Sequence, residues 1–191
     1  DYTYLEGTGD FRSDEVKKLR DEADIIVTNP PFSLFRDFMN WIMEANKQFL
    51  IIGNMNAITY KEVFPLIKEN KIWSGTMLGH NMYFKKPNSD EMTSVTAKWF
   101  TNIEHGRRHE PMSLMTYKDN LRFSKHKSIR EDGYKKYDNY DALNVDYVDA
   151  IPDDYDGVMG VPISFMDRYC PEQFEIVGLL NHGHDNIYDY D

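Results

Sequence analysis

The first hundred residues alternate short β-branched apolar runs with amphipathic segments, and this alternation restricts the possible folds more than any other feature. Residues 24–28 are apolar and β-branched, as expected of a buried parallel strand. A wide apolar face predicts a helix over residues 33–46, and residues 49–52 follow as a second buried strand. Strands that alternate with helices in this way build a parallel sheet with helices on its faces. The sequence therefore predicts an α/β fold for residues 1–104.

Shorter signals predict the remaining elements. Ser13 is expected to cap a helix that ends near Glu22, because its hydroxyl can accept a backbone N–H of the first turn. Thr59 and Glu62 match a capping box, which predicts a helix from Tyr60 to about residue 70. Strands are also expected at residues 2–5, 82–84, 95–103 and 174–180, with the two middle ones forming an antiparallel hairpin at the end of the sheet. Residues 105–145 show little regular pattern.

The charge is unevenly distributed along a chain whose net charge is −10. Residues 105–136 carry 9 Lys and Arg against 4 Asp and Glu, whereas residues 137–191 carry 1 and 13. Nucleic-acid-binding proteins usually have a basic surface, but a local basic stretch in an acidic protein can also contact phosphates. Contact with DNA and a merely solvated face both remain open for this stretch. The basic residues that we consider for such contact are His105, Arg107, Arg108, His109, Lys118, Arg122, Lys125, Lys127 and Arg130, with Tyr117, Phe123, Tyr134 and Tyr137 between or beside them.

Cysteine content and hydropathy indicate an intracellular protein, which we expect to be cytoplasmic. Cys170 is the only cysteine, and neither a signal peptide nor an apolar run of about 20 residues is present in the sequence. No metal site is predicted, because the nearest approach to one, residues 182–185, reads more simply as a surface loop. The chain opens at Asp1 on strand-like sequence, so we expect it to be part of a longer protein. Its oligomeric state is not readable.

The strongest chemical signal is Asn29-Pro30-Pro31-Phe32, which follows one predicted strand and precedes a predicted helix. Ligands of open α/β sheets bind at this carboxyl edge. An aromatic amine is a poor nucleophile until acceptors draw its hydrogens, and the Asn29 side chain and the Pro30 carbonyl can be two such acceptors. The prolines stiffen the turn, and Phe32 offers a ring face to a base taken out of its duplex. The alternative is an ordinary strand-to-helix turn, since Asn is a common cap and Pro a common first helical residue.

Residues 24–35 resemble the catalytic motif of adenine-specific DNA methyltransferases, in particular the EcoRI-type modification methylases. The resemblance extends over most of the chain, at residues 50–54, 56–60, 99–102, 137–142 and 159–163. It implies a Rossmann-like class I methyltransferase core, S-adenosylmethionine as the methyl donor and adenine in double-stranded DNA as the acceptor. The sites that it implies are catalytic residues Asn29, Pro30, Pro31 and Phe32.

Within this resemblance, Gly9-Asp10-Phe11 is similar to a cofactor motif in which an aspartate accepts a hydrogen bond from the adenine amine of S-adenosylmethionine. Phe11 is then expected near that ring, whereas the alternative is a glycine-rich turn in which Asp10 contacts a nearby amide. The glycine loop and the N-terminal strands are expected upstream, so these 191 residues alone should bind cofactor weakly or not at all. Asn54 and Asn56 are expected at the same edge, either as ligand contacts or as turn residues.

The expected organisation is a partial catalytic core at residues 1–104 and a DNA-recognition or capping extension at residues 105–191. The predicted reaction is methyl transfer to the N6 amine of a flipped adenine in DNA. Two alternatives remain open. One is methylation of another planar amine, a guanine in RNA or a glutamine in a protein, because such enzymes share the motif. The other is a non-catalytic DNA-binding module on the same fold.

Overall fold

The computed structural model describes residues 4–75, 82–85 and 88–180, together with the backbone of residues 187–188. The chain divides into two compact units, Asp1–His105 and Gly106–Asp191. Each unit is described by itself, and the functional roles expected for the two parts of the chain stay predictions.

The helices and strands are short and are numbered here in chain order. The described helices are α1 (Asp14–Glu22), α2 (Phe35–Glu44), α3 (Phe64–Lys68), α4 (Tyr117–Phe123) and α5 (Lys127–Asp132). The described strands are β1 (Ile25–Thr28), β2 (Gln48–Asn54), β3 (Trp73–Ser74), β4 (Met82–Lys85), β5 (Met92–Val95), β6 (Ala97–Thr101), β7 (Lys135–Lys136), β8 (Ala142–Asn144), β9 (Val158–Gly160), β10 (Leu179–Leu180) and β11 (Ile187–Tyr188). None of the described helices is both long and apolar enough to cross a bilayer.

The first unit is built on a four-stranded sheet with the order β1-β2-β6-β3. Strand β1 runs parallel to β2, and β6 runs antiparallel to both β2 and β3. The α/β alternation predicted from the sequence is therefore present. The carboxyl ends of β1 and β2 lie at one edge, because Thr28 pairs with Ile51 and the chain leaves β2 three residues later.

Helix α2 supplies the core that fixes this edge. Its Phe35 is 1% exposed and its ring centroid lies 5.2 Å from that of Phe100 on β6. Gly53 on β2 makes this close packing possible, because a Cβ there would lie 2.4 Å from the Phe35 ring and 2.9 Å from the Phe100 ring. The amino end of α2 is thus packed directly on the carboxyl end of β2.

The burial predicted for β1 is wrong on one face. Ile25 is 50% exposed and Val27 is 64% exposed, whereas Ile26 and Thr28 are half-buried. The apolar run gives β propensity, but burial also needs a covering layer. Among the described residues, β1 is an edge strand that pairs with β2 alone.

Several other sequence predictions are wrong in their boundaries. The Thr59 hydroxyl donates to the Asn56 carbonyl instead of capping a helix, and α3 begins only at Phe64, next to Pro65. The strand predicted at residues 95–103 corresponds to β6, which joins the main sheet, whereas the hairpin partner of β4 is the earlier strand β5. Strand β3 was not predicted. The strand expected at residues 2–5 begins outside the described residues, and Tyr4 and Leu5 are not in a strand.

The second unit contains more regular structure than the sequence predicts. Helix α4 begins after Thr116, whose hydroxyl accepts the N–H of Asp119 at 3.0 Å. Helix α5 ends at Gly133, whose φ of +72° suits glycine. Strands β7, β8 and β9 form a small sheet, and the strand expected at residues 174–180 is reduced to β10. The buried core of this unit consists of Leu143, Val145, Ile151, Phe165 and Tyr169.

Candidate active site

The Asn29–Phe32 turn joins β1 to α2 at the carboxyl edge of the sheet. Pro31 precedes a single 3-10 turn over Phe32–Leu34, and its carbonyl accepts the Leu34 N–H at 2.9 Å. Phe35 then begins α2. The stiffness of the two prolines and the buried anchor at Phe35 together hold the turn in one conformation.

The two acceptors predicted in this turn have no hydrogen-bond partner among the described residues. The Asn29 side chain is exposed, and Pro30 is buried. Within the described residues, no hydrogen bond is made by the Asn29 side chain or accepted by the Pro30 carbonyl. The ring of Phe32 is half-buried, so part of its surface remains open. A single turn therefore combines an exposed amide side chain, a carbonyl without a hydrogen-bond partner among the described residues and a half-buried aromatic ring.

Asp10 precedes α1 and is held by Arg12. The Arg12 guanidinium donates to both carboxylate oxygens at 3.0 and 2.8 Å, and the Arg12 backbone N–H adds a bond of 2.9 Å to Oδ1. These hydrogen bonds lower the pKa of Asp10 to about 2. The side chain is 40% exposed. Since a carboxylate has about four acceptor positions, Asp10 keeps at least one for an external N–H donor.

Phe11 is a core residue in the described structure. It is 8% exposed, and its ring meets Phe38 and Trp41 of α2 edge to face, at 5.2 and 5.5 Å. This packing fixes the segment that carries Asp10 on the helix that follows the Asn29–Phe32 turn. A direct contact of Phe11 with a cofactor ring stays a prediction.

Asn54 has the turn role that the sequence left open. Its side-chain oxygen accepts the Asn56 N–H at 2.8 Å and caps the 3-10 turn Met55–Thr59. Asn56 is exposed. A contact of either residue with cofactor or base stays a prediction.

A cluster that the sequence analysis missed lies beside these residues. The Arg36 guanidinium lies 4.4 Å from the centre of the Tyr60 ring, and its Nε lies 3.8 Å from Oε2 of Glu62. Arg36 is in the first turn of α2, one turn after Phe32, and Tyr60 follows the 3-10 turn at the end of β2. The position of Arg36 after the turn and the motif at residues 56–60 were the available signals.

The basic stretch is partly neutralised within the second unit. Lys125 Nζ lies 2.6 Å from Oδ2 of Asp149, and His126 Nε2 lies 2.8 Å from Oδ1 of the same carboxylate. His109 Nδ1 lies 2.6 Å from Glu172 Oε1. Lys127 faces Glu131 at 3.5 Å, and the Arg130 guanidinium donates to the Ser124 carbonyl.

Two basic side chains of α4 are committed to no acidic group among the described residues. They are Lys118 and Arg122, which are exposed and four residues apart on one helix. Arg122 lies 5.4 Å from the ring of Phe123, which is 65% exposed. Tyr134 and Tyr137 are half-buried instead, and burial raises the pKa of Tyr134 to about 12.

The remaining features that the sequence singles out are Cys170 and residues 182–185. Cys170 is buried, and burial together with the neighbouring Glu172 carboxylate raises the pKa of its thiol. Residues 182–185 lie outside the described part of the chain. Within that part, no three His, Cys, Asp or Glu side chains are placed to hold a metal ion.

Comparison with known proteins identifies the class to which this fold and turn belong. Residues 1–190 match the family model described as adenine-specific methyltransferase EcoRI. The chain therefore belongs to the EcoRI adenine-specific methyltransferase family, as its sequence motifs predicted. No solved structure matches it significantly.

Among curated proteins, three relatives carry the name type II methyltransferase. M.EcoRI of Escherichia coli is 45% identical over 188 residues, which cover 90% of this chain and 55% of the relative. M.MgeORF184P of Mycoplasma genitalium is 38% identical, with 93% and 59% covered. M.MpnI of Mycoplasma pneumoniae is 35% identical, with 92% and 58% covered. The chain thus spans somewhat more than half the length of these relatives.

Proposed function

We propose that the protein containing this chain transfers a methyl group from S-adenosylmethionine to the N6 amine of adenine in double-stranded DNA. The observation that carries the proposal is the pair of uncommitted acceptors, the Asn29 side chain and the Pro30 carbonyl, on a stiff turn at the carboxyl edge of the sheet. Family membership and the names of the three relatives support it.

The fold that we propose is the Rossmann-like class I methyltransferase core, of which these residues form the later part. The order β1-β2-β6-β3, with one strand antiparallel to both of its neighbours, supports this assignment. The exposed Ile25 and Val27 side chains of edge strand β1 agree with further strands and their covering layer lying elsewhere in the protein. The proposed role of the second unit is DNA recognition or capping of the sheet.

The turn performs its part of the reaction by accepting hydrogen bonds. The lone pair of the adenine amine is delocalised into the ring, so the nitrogen is a weak nucleophile. In the proposal, the Asn29 oxygen and the Pro30 carbonyl accept hydrogen bonds from the two amine N–H groups and draw the nitrogen toward a tetrahedral form. Acceptors that are already in place need no rearrangement when charge develops, which is how positioned dipoles lower a barrier.

The acceptor base reaches this turn only after leaving the duplex. A base in stacked DNA does not expose its amine to an enzyme pocket, so we propose that the target adenine is flipped out. Phe32 is the proposed stacking partner, because its ring is half-buried and therefore both held and accessible. Phe32 follows Pro30 by two residues, and the packing of Phe35 on Gly53 holds the start of the helix that comes after it.

Asp10 is the proposed contact to the methyl donor. Its ionised, partly exposed carboxylate with an open acceptor position fits an amine such as that of the donor's adenine ring. When bound, S-adenosylmethionine would supply a methyl group on a positively charged sulfur. The bond from the amine nitrogen to the methyl carbon would form as the sulfur–carbon bond breaks, S-adenosylhomocysteine would leave, and the amine would release one proton to water. Phe11 supports Asp10 from the core and is proposed to lie near the same ring.

The test uses the complete protein, radiolabelled S-adenosylmethionine and mixed-sequence duplex DNA, followed by identification of the labelled nucleoside. We expect label on N6-methyladenine. Asn29→Ala should lower kcat by about 100-fold or more, the usual loss when one positioned polar group is removed from a transition state. Asn40→Ala is the matched control, because Asn40 is an exposed residue of α2 outside the turn.

Three other results would contradict the proposal in different ways. If RNA and protein are offered as acceptors in parallel reactions, label on either of them but not on DNA would keep the amine chemistry and replace the substrate. Binding of DNA without any transfer would favour the non-catalytic module. Full activity of Asn29→Ala would leave the reaction in place and remove Asn29 from it.

A further inference from the structure

Arg36 differs from the other arginines of the first unit in the hydrogen bonding of its guanidinium N–H groups. Residues 1–105 contain three arginines. Arg12 is bound to Asp10, and Arg20 donates to Asp21 and to the Trp41 carbonyl. Arg36 makes no hydrogen bond to any described residue, and its side chain is 55% exposed. Its guanidinium donors are therefore unused among the described residues and open to solvent.

The uncommitted guanidinium is nevertheless held in place. Its Cζ lies over the Tyr60 ring, 4.4 Å from the ring centre, which is a cation–π contact, and Oε2 of Glu62 lies 3.8 Å from its Nε. Glu62 is mostly buried, and its Oε2 has no hydrogen-bond partner among the described residues. A charge that is fixed by a ring on one side and a carboxylate at Nε loses less entropy on binding than a free surface side chain.

The position of the Arg36–Tyr60–Glu62 cluster indicates which chemical group it can bind. Arg36 lies one helical turn after Phe32, and Tyr60 lies just beyond the end of β2, so both elements belong to the edge that carries the proposed adenine site. A nucleotide bound there brings its own phosphodiester groups to that edge. The forked donors of a guanidinium match the paired oxygens of a phosphate.

Resting on the proposed function, we propose that Arg36 binds a backbone phosphate of the DNA beside the target adenine, with Tyr60 as its platform and Glu62 as a positioning residue. Phosphate contacts fix the register of a protein on DNA without reading sequence. This contact holds the strand next to the Asn29–Phe32 turn while the adenine is out of the duplex.

The experiment measures duplex binding by the complete protein at several salt concentrations, with methyl transfer followed in parallel. Loss of one phosphate contact lowers the slope of log affinity against log salt by about 1. We expect this change in Arg36→Gln, with affinity reduced roughly 10-fold near 0.1 M salt. Arg36→Lys should keep the slope, since it keeps the charge. Lys18→Gln, which removes an exposed charge on α1, should leave both quantities unchanged.

Tyr60 has its own matched pair of variants. Tyr60→Phe keeps the ring face beneath the guanidinium and should bind DNA like the unmodified protein. Tyr60→Leu should weaken binding about threefold with an unchanged slope, because it removes a cation–π contact but no charge. Equal behaviour of the two variants would overturn the platform role.

Neutral methylphosphonates placed singly around the methylated adenine locate the contact. One position should weaken binding of the unmodified protein and have no effect on Arg36→Gln.

The outcomes separate this inference from the proposed function. If the protein binds and methylates DNA but Arg36→Gln keeps its salt slope, or no methylphosphonate position behaves as expected, the inference fails and the proposed function stands. If Arg36→Lys loses as much slope as Arg36→Gln, the effect is structural and the inference also fails. If the unmodified protein neither binds nor methylates DNA, both fall together.

Discussion

Gly53 shows how one residue without a side chain determines the position of the candidate site. A Cβ at this position would enter the rings of Phe35 and Phe100 at 2.4 and 2.9 Å, so the amino end of α2 can reach β2 only because Gly53 is glycine. Since α2 follows the Asn29–Phe32 turn directly, a shift of Phe35 moves that turn.

Gly53→Ala is expected to destabilise the protein by about 1–3 kcal/mol, the usual cost of overpacking a well-filled core. Methyl transfer should fall as well, because the turn is displaced. Gly106→Ala is the matched control, since a Cβ there meets nothing within 4 Å. Urea unfolding of the two variants checks the prediction, and equal stability of both would contradict it.

Asp149 makes the stability of the second unit depend on pH. Burial raises the pKa of its carboxyl, but hydrogen bonds from Lys125 and His126 outweigh this effect and lower the pKa below 3.8. A carboxyl with a lowered pKa in the folded state stabilises the protein at pH values above its unfolded pKa, and this contribution is lost as the pH falls through the folded pKa.

Asp149→Asn should therefore lower Tm at pH 7 by an amount corresponding to about 1 kcal/mol or less, because the carboxylate is 39% exposed. The difference from the unmodified protein should shrink below pH 3.8. Asp138→Asn, at an exposed position, should have no such effect. A difference that stays constant from pH 7 to pH 2.5 would contradict the assignment.

At the level of the elements, the sequence predicts those that depend on local signals. Helix α1 was predicted with its cap, and the Ser13 hydroxyl does accept the Val16 N–H at 3.3 Å. Strand β2 was predicted because residues 49–52 form an uninterrupted apolar run. Such elements are specified by neighbours in the sequence, so no knowledge of the tertiary structure is needed.

Elements that depend on distant partners were not predictable. Strand β3 has two residues and exists through its pairing with β6. The capping box at Thr59 was wrong because Tyr60 takes an extended backbone conformation, with ψ 141°, at the end of the preceding 3-10 turn. The candidate site divides in the same way: the Asn29–Phe32 turn is local, whereas the Arg36–Tyr60–Glu62 cluster joins two elements that meet only in the fold.

Helix α4 permits a separate test of the proposed DNA-recognition unit. The double variant Lys118→Gln/Arg122→Gln should lower the salt slope of DNA binding by about 2, because two uncommitted charges are removed from one helix. The control Lys135→Gln/Lys136→Gln changes the charge equally on β7, where Lys136 is already paired with Asp141 at 3.0 Å. If the Lys135→Gln/Lys136→Gln control lowers the salt slope more than the α4 variant does, the DNA lies against β7 and not against α4.

For the whole molecule, the central question is how much of the cofactor site these residues supply. Asp10 is the one polar cofactor contact that we propose among the described residues. A hydrogen bond to a charged group contributes about 1.5–3 kcal/mol. A micromolar affinity corresponds to about 8 kcal/mol. The larger part of the binding energy is therefore expected from residues elsewhere in the protein, in agreement with a chain that spans 55–59% of its relatives.

Asp10→Ala in the complete protein should consequently weaken S-adenosylmethionine binding by about 10-fold without abolishing it. Arg12→Ala distinguishes the two roles that Asp10 can have. If the carboxylate binds the donor, Arg12→Ala leaves that acceptor in place, and affinity should change by less than about threefold, because only a surface ion pair is lost. If Asp10 serves only to hold Arg12 and the turn, the two variants should weaken binding equally. Titration calorimetry with S-adenosylmethionine separates these outcomes, and equal losses would remove Asp10 from the cofactor site and return it to the glycine-rich turn.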